Sequence, residues 1–273
     1  MASSESRLPA RVRNIWFARV WSALLVVGGL QAARSWAADT AKPAAAAVAP
    51  AGAPGAEADP RKLILESDPA DLRRYRAANA RLAPPAPGES RVVFLGDSIT
   101  DEWGRHFDGY FPGKPYVGRG ITGETTQQML IRFRPDVIAL QPKVVVILAG
   151  TNDIAGNTGR ATPEMIHDNL RSMIDLAEFN HIRVVLVSVL PAFDYWWSRG
   201  MEPAAKIIAL NAWMKNYAGQ RGLVYVDCHT PMADARHGLR PEYGPDGVHP
   251  NPAGYAVMAP LVEAGIAAAL GRQ

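Results

Sequence analysis

The sequence predicts an α/β fold, a three-layer sandwich around a central parallel sheet of about five strands. Four apolar runs, "RVVFLG" (91–96), "KVVVILAG" (143–150), "RVVLVSVLP" (183–191) and "LVYVD" (223–227), are β-branched and unbroken rather than alternating, as strands covered on both faces require. A weaker fifth run, "PYVGRG" (115–120), falls after the first. Helix-like stretches at about 124–140, 163–180, 203–219 and 252–270 separate or follow the runs. Strand and helix in alternation set the strands parallel, with helices on both faces.

Ahead of this pattern the chain changes character twice. The first 37 residues carry Arg7, Arg11, Arg13, Arg19 and Arg34 against Glu5 alone, then the apolar stretch "VWSALLVVGGLQAA" and small residues before Ala38. A charged start, a short apolar middle and a small-residue cleavage point read as a secretory signal, and the apolar stretch falls short of the about 20 residues of a membrane span. The expected mature protein begins near Ala38, secreted or periplasmic, with no stable membrane insertion. The formal charge is +3 and the pI about 9.1; removing the leader's net +4 leaves −1. The basic pI is therefore no sign of nucleic acid, and no basic stripe with interleaved aromatics follows. Residues 38–60 are Ala, Pro and Gly with little to bury, the composition of an extended linker. Residues 61–273 read as one domain, opening on a helical pattern near Asp68 with Leu72, Tyr75 and Ala78 at helical spacing. The lone Cys228 excludes an internal disulfide and reads as a small buried hydrophobe beside a strand.

Ligands of parallel α/β sheets bind at the carboxyl ends of the strands. Ser98, in "FLGDSITD", lies just past the first strand, and Asn152, in "AGTND", just past the third. A serine hydroxyl needs a base to take its proton and a third group to orient that base. "GPDGVHPN" offers both, with Asp246 three residues before His249 and Pro245 and Pro250 restricting the loop. Acyl transfer also needs donors aimed at a developing oxyanion. Three candidates on three loops are the N–H of Ser98, the N–H of Gly123 in "GITGETT", and the side-chain amide of Asn152.

The four blocks "GDSIT", "GITGETT", "GTND" and "DGVHP" resemble, in order, those of the SGNH or GDSL hydrolase family, over about residues 91–257. The resemblance implies a flavodoxin-like sandwich with Ser98 as nucleophile, His249 as base, Asp246 as its orienting partner, and Ser98, Gly123 and Asn152 as the oxyanion hole. It implies ester hydrolysis through an acyl-enzyme, without metal or organic cofactor. "GDSIT" departs from the "GDSL" of the family's name but keeps the serine, and no G-x-S-x-G elbow is present.

The expected substrate is a small acyl ester, an acetylated carbohydrate or short-chain ester, free or on a polysaccharide, because no long apolar insertion suits a lipid lid. A lysophospholipase or thioesterase, a cell-envelope O-acyltransferase and a non-catalytic carbohydrate-binding protein are the alternatives. Tyr195, Trp196 and Trp197, in "FDYWW", either stack on a sugar ring or acyl chain or seal helix against sheet. Asp97 and Asp153 read as caps of their own loops, with similar local roles for Thr100 and Thr125, and Arg119 as a loop brace. The Asp227, His229, Asp234 and His237 spacing matches no recognisable zinc pattern. Composition leaves the oligomeric state open.

Overall fold

A computed structural model of the chain describes residues 67–271; the leader-like and linker segments lie outside them. All five expected strands form: β1 (Val92–Gly96), β2 (Tyr116–Gly120), β3 (Val144–Leu148), β4 (Arg183–Val187) and β5 (Val224–Val226). They pair in parallel in the order β2-β1-β3-β4-β5, which is flavodoxin-like. The order reverses at β1, with β2 on one side and β3 on the other, so the loops after β1 and β3 face a common crevice.

Alternate strand residues point to opposite faces, and each face carries its own core. Val93, Leu95, Val145, Ile147, Val184 and Leu186 pack against α4 (Thr126–Asp136), α6 (Pro163–Phe179) and α7 (Pro203–Arg221). Val92, Phe94, Val144, Val146, Val185 and Val187 pack against α2 (Ser98–Gly104), α3 (Phe107–Tyr110) and α9 (Pro252–Gly271). Helix α9 is long and apolar enough to cross a membrane by composition, yet Met258, Val262 and Ile266 are buried in this second core. Cys228, just past β5, is buried there too.

Several expectations shift in detail. The pattern near Asp68 becomes helix only at α1 (Arg76–Arg81), because the Asp68 carboxylate takes the N–H groups of Leu72 and Arg73 into turns. The expected helix at 124–140 ends at Asp136, just after Pro135, and a short 3-10 turn, Ile138–Leu140, follows. Proline removes an N–H and crowds the preceding turn. The short helices α2, α3, α5 (Thr151–Ala155) and α8 (His229–Met232) have too few turns for a visible period. Gly120 must be glycine: a Cβ there would sit 2.1 Å from the Asp101 backbone nitrogen, so the end of β2 lies directly on α2.

Asp97 caps its own loop as expected, accepting from the Ile99 N–H at 3.0 Å. Asp153 does not. Its carboxylate reaches across to the start of α4, taking the Thr126 N–H at 2.9 Å and the Thr126 hydroxyl at 2.6 Å, so it fastens one helix to another. Burial, opposed by these hydrogen bonds, pushes the Asp153 carboxyl up to about 6. An unfolded Asp titrates near 3.9, so the folded protein binds this proton the more tightly. The stability it contributes is complete below about pH 4 and is lost as pH rises through about 6. The melting temperature of the wild type minus that of Asp153→Asn is therefore expected to fall, by several degrees, between about pH 4.5 and 7.5. A difference that stays constant across this range would show that Asp153 titrates like an exposed carboxyl.

Candidate active site

Ser98 sits where β1 gives way to α2. A Cβ on Gly96 would lie 2.1 Å from the Thr100 hydroxyl and 2.7 Å from the Leu148 carbonyl, so only glycine lets the strand turn here. Asp97, fully buried, is the N-cap residue of α2, and Ser98 follows it half-buried at the helix start.

The opposing loop is built by its own backbone. Gly247, at φ +80°, turns the chain, and its N–H bonds the Gly244 carbonyl. The N–H groups of Val248 and His249 both donate to Asp246 Oδ1, at 2.9 and 2.8 Å. The second carboxylate oxygen lies 2.7 Å from His249 Nδ1. Partial burial would raise the Asp246 carboxyl, but the hydrogen bonds from His249 and Val248 hold it below the usual range. A carboxylate only accepts, so the proton belongs on Nδ1 and Nε2 is left as the acceptor. His249 Nε2 lies 2.9 Å from Ser98 Oγ. The three residues named from sequence thus form one continuous chain of hydrogen bonds.

That chain opens into a cavity of about 550 Å³ lined by Ser98, Gly123, Asn152, Trp196, Trp197 and His249 among others. Among the described residues, the N–H groups of Ser98 and Gly123 have no hydrogen-bond partner in the protein. The Asn152 amide differs, since its Nδ2 donates to the Glu124 carbonyl at 2.9 Å and, at a long 3.3 Å, to Asp97 Oδ2. Of the three candidate donors, two are free and one is shared. Burial also pushes Asp97 up to about 6.

The aromatic stretch divides. Trp196 is 58% exposed at the cavity mouth, and Trp197 lines the cavity with its ring centroid 6.3 Å from that of His249. Tyr195 does not reach the cavity: it is fully buried, and its hydroxyl is 2.8 Å from that of Thr151. The tight bridge between Tyr195 and Ser198 sends neighbouring side chains to opposite sides, so Tyr195 becomes the floor under Trp197, with ring centroids 4.9 Å apart.

Two buried residues beside the site were not apparent in the sequence. The Arg132 guanidinium, without solvent exposure, holds Glu124 at 2.6 Å, Asp136 at 3.2 Å and the Gly96 carbonyl at 3.0 Å. Burial pushes the Glu124 carboxyl up to about 8 against the pull of Arg132. The available signal was an arginine three residues after Met129 and four before Asp136, on the apolar stripe of α4. Arg119 braces instead of binding: it bonds Asn79 at 2.9 Å and lies over the Tyr75 ring. Asp227 and Asp234 cap turns at Thr230, Arg236 and Gly238.

Residues 94–257 match the GDSL-like lipase/acylhydrolase family. A GDSL-like lipase of known structure from Bacteroides thetaiotaomicron is 44% identical, with a TM-score of 0.71, over 73% of this chain and 98% of that one. An acetylxylan esterase from Xylanibacter ruminicola is 28% identical over 222 residues, 67% of this chain and 44% of that protein. An uncharacterized lipoprotein from Bacillus subtilis is 32% identical over 124 residues, 39% of this chain and 51% of that protein. The chain spans about half the length of these two curated relatives. With the family match running from β1 through the loop of His249, over more than half of the sequence, the chain belongs to the GDSL-like lipase/acylhydrolase family.

Proposed function

We propose that the protein is a serine esterase that removes a small acyl group, foremost acetyl, from a carbohydrate by way of an acyl-enzyme. The observation that carries the reading is the unbroken chain from Ser98 through His249 to Asp246, at 2.9 and 2.7 Å, beside two unoccupied backbone donors. Ser98 Oγ attacks the ester carbonyl as His249 Nε2 takes its proton. The Ser98 and Gly123 N–H groups, with the Asn152 amide, meet the oxyanion. His249 then protonates the departing sugar oxygen, and water, deprotonated by the same nitrogen, releases the acid.

The cavity supports a short acyl group on a polar alcohol. Its volume is modest, and Asp71, Thr122 and Thr158 line it beside the two tryptophans. Hydroxyl-bonding groups around an indole face suit a sugar ring. The acetylxylan esterase among the relatives supports the same substrate class. The leader-like first 37 residues support export to meet a polymer.

Ser98→Ala is expected to melt as the wild type does and to lose nearly all turnover of acetyl esters, and a serine-reactive phosphonate should label Ser98 and nothing else. Undiminished turnover in that variant would sink the reading. Because an imidazolium cannot accept the serine proton, kcat/KM should fall on the acid side. His249→Ala should abolish turnover, and Asp246→Asn should leave a weak residue of it. An acid limb that stays flat into the carboxylate range would point to another base.

Asn152→Ala should lower kcat by about 10² to 10³ with KM little changed, as loss of one oxyanion donor does. Asn152 is also buried, with hydrogen bonds to Glu124, Asp97 and Asn157, so the melting temperature should drop as well. Measured well below that melting point, an unchanged kcat removes the amide from the mechanism.

A further inference from the structure

Asn157, in "GTNDIAGN", lies five residues beyond Asn152 and is set by the turn between them. Helix α5 ends at Gly156, in the left-handed conformation at φ +77°, and the Asn157 N–H returns to the Asn152 carbonyl at 3.0 Å. The backbone thereby carries the Asn157 side chain back over the start of its own helix. There its side chain makes three contacts. Nδ2 donates to Asn152 Oδ1 at 2.8 Å and to the Gly123 carbonyl at 3.0 Å, and Oδ1 accepts from the Trp197 indole at 3.0 Å.

These contacts select orientations that the two neighbouring donors could otherwise lose. An amide turned by half a rotation exchanges its oxygen and nitrogen, and a turned Asn152 would present oxygen where a donor is needed. A donor on Asn152 Oδ1 permits only the orientation with Nδ2 facing Glu124 and Asp97, the long 3.3 Å bond to Asp97 being the one an oxyanion would compete for. At Gly123, the φ of +83° is available because the residue is glycine, and nothing in the residue itself holds it there. The Asn157 bond to its carbonyl, together with the Glu124 N–H on the Ile121 carbonyl at 3.2 Å, pins the peptide that follows.

Resting on the serine-esterase reading above, we propose that Asn157 is a positioning residue that aims the Asn152 and Gly123 donors at the oxyanion and links them to Trp197, the wall of the substrate cavity. It touches neither the nucleophile nor the base, and its side chain is exposed rather than part of a core, so its loss is local. A substrate that presses on Trp197 acts, through the indole N–H, on the residue that orients the oxyanion donors.

Three variants test this with p-nitrophenyl acetate turnover, inhibition by a trifluoromethyl ketone that adds Ser98 as a tetrahedral mimic, and melting temperature. Asn157→Ala should lower kcat by about 10- to 100-fold with KM nearly unchanged, and should weaken the ketone in the same proportion. Its melting temperature should move little. Asn157→Asp keeps an acceptor for the indole, cannot donate to Asn152 or Gly123, and brings a charge near the oxyanion, so it should be at least as impaired. Trp197→Phe keeps an aromatic ring but removes the indole donor together with some ring area, and should fall between wild type and Asn157→Ala. Full kcat and full ketone affinity in Asn157→Ala would overturn the proposal while leaving the esterase reading intact. A loss of kcat without a matching loss of ketone affinity would assign Asn157 to loop structure alone. A wild-type protein with no ester turnover and no ketone inhibition would overturn both readings.

Discussion

A single buried guanidinium joins the pieces on which the site stands. Arg132 bonds the carbonyl of Gly96, the last residue of β1, the carboxylate of Glu124, next to Gly123, and the carboxylate of Asp136, one turn along α4. The strand that ends before Ser98, the loop of Gly123 and helix α4 are thereby fixed to one rigid, planar group. Arginine suits this because its donors fan out in fixed directions. Taking such charges out of water costs several kcal/mol per ion, and well-packed apolar residues are often the more stable choice. The rise of Glu124 to about 8 is that cost expressed on the carboxyl. What the cluster provides is register: no apolar side chain could donate to the Gly96 carbonyl, which also takes the Ile121 N–H at 3.0 Å, so the strand end before Ser98 and the loop that leads to Gly123 share one acceptor.

A polar shell continues from this point, buried at Asp153 and Asn152 and exposed at Asn157. Asp153 clamps α5 to α4, Asn152 crosses to Glu124 and Asp97, and Asn157 crosses to Asn152, Gly123 and Trp197. Each member uses a side-chain oxygen or amide to fix a neighbour on another segment of the chain. Buried networks of this kind rigidify only when every member is satisfied. Glu124 Oε1 is among the few buried polar atoms without a partner in the described part of the chain, and it sits where three of the loops meet.

Much of this architecture was legible in the sequence, for reasons that also mark the boundary of legibility. The strands announce themselves because both faces are covered, which forces an apolar residue at every position. The long helices do so through their period. Ser98, Gly123, Asn152, Asp246 and His249 could be picked out as candidates because a strand end or a tight loop places each one, and such places leave local signs in glycine and proline. Tyr195 was misplaced because its direction depends on a bridge to Ser198 that no period encodes. Asp153 was assigned to its own loop because its true partner, Thr126, is 27 residues away. Arg132 and Asn157 were missed for a related reason: beside one near neighbour each, Asp136 and Asn152, their partners include Gly96 for the one and Gly123 and Trp197 for the other, which only the fold supplies.

The two tryptophans show how such partners divide labour on the proposed reading. Trp197 is held from three sides, by the Tyr195 ring beneath it, the Trp196 ring at 5.3 Å and the Asn157 oxygen on its indole nitrogen. Trp196 has one ring neighbour and projects into solvent. A rigid surface beside the reacting atoms loses little entropy when substrate binds, whereas a mobile one at the mouth accepts alcohols of different shape at the cost of ordering a side chain. An enzyme that meets one acyl group on many positions of a polymer needs that asymmetry: tight geometry at the carbonyl and tolerance beyond it. A lipase acting on a long chain needs the reverse, an extended apolar channel leading away from the serine. Asp71, Thr122 and Thr158 line the same cavity as Trp197, and their hydrogen-bonding groups would be desolvated without a partner by an acyl tail but find partners on a sugar.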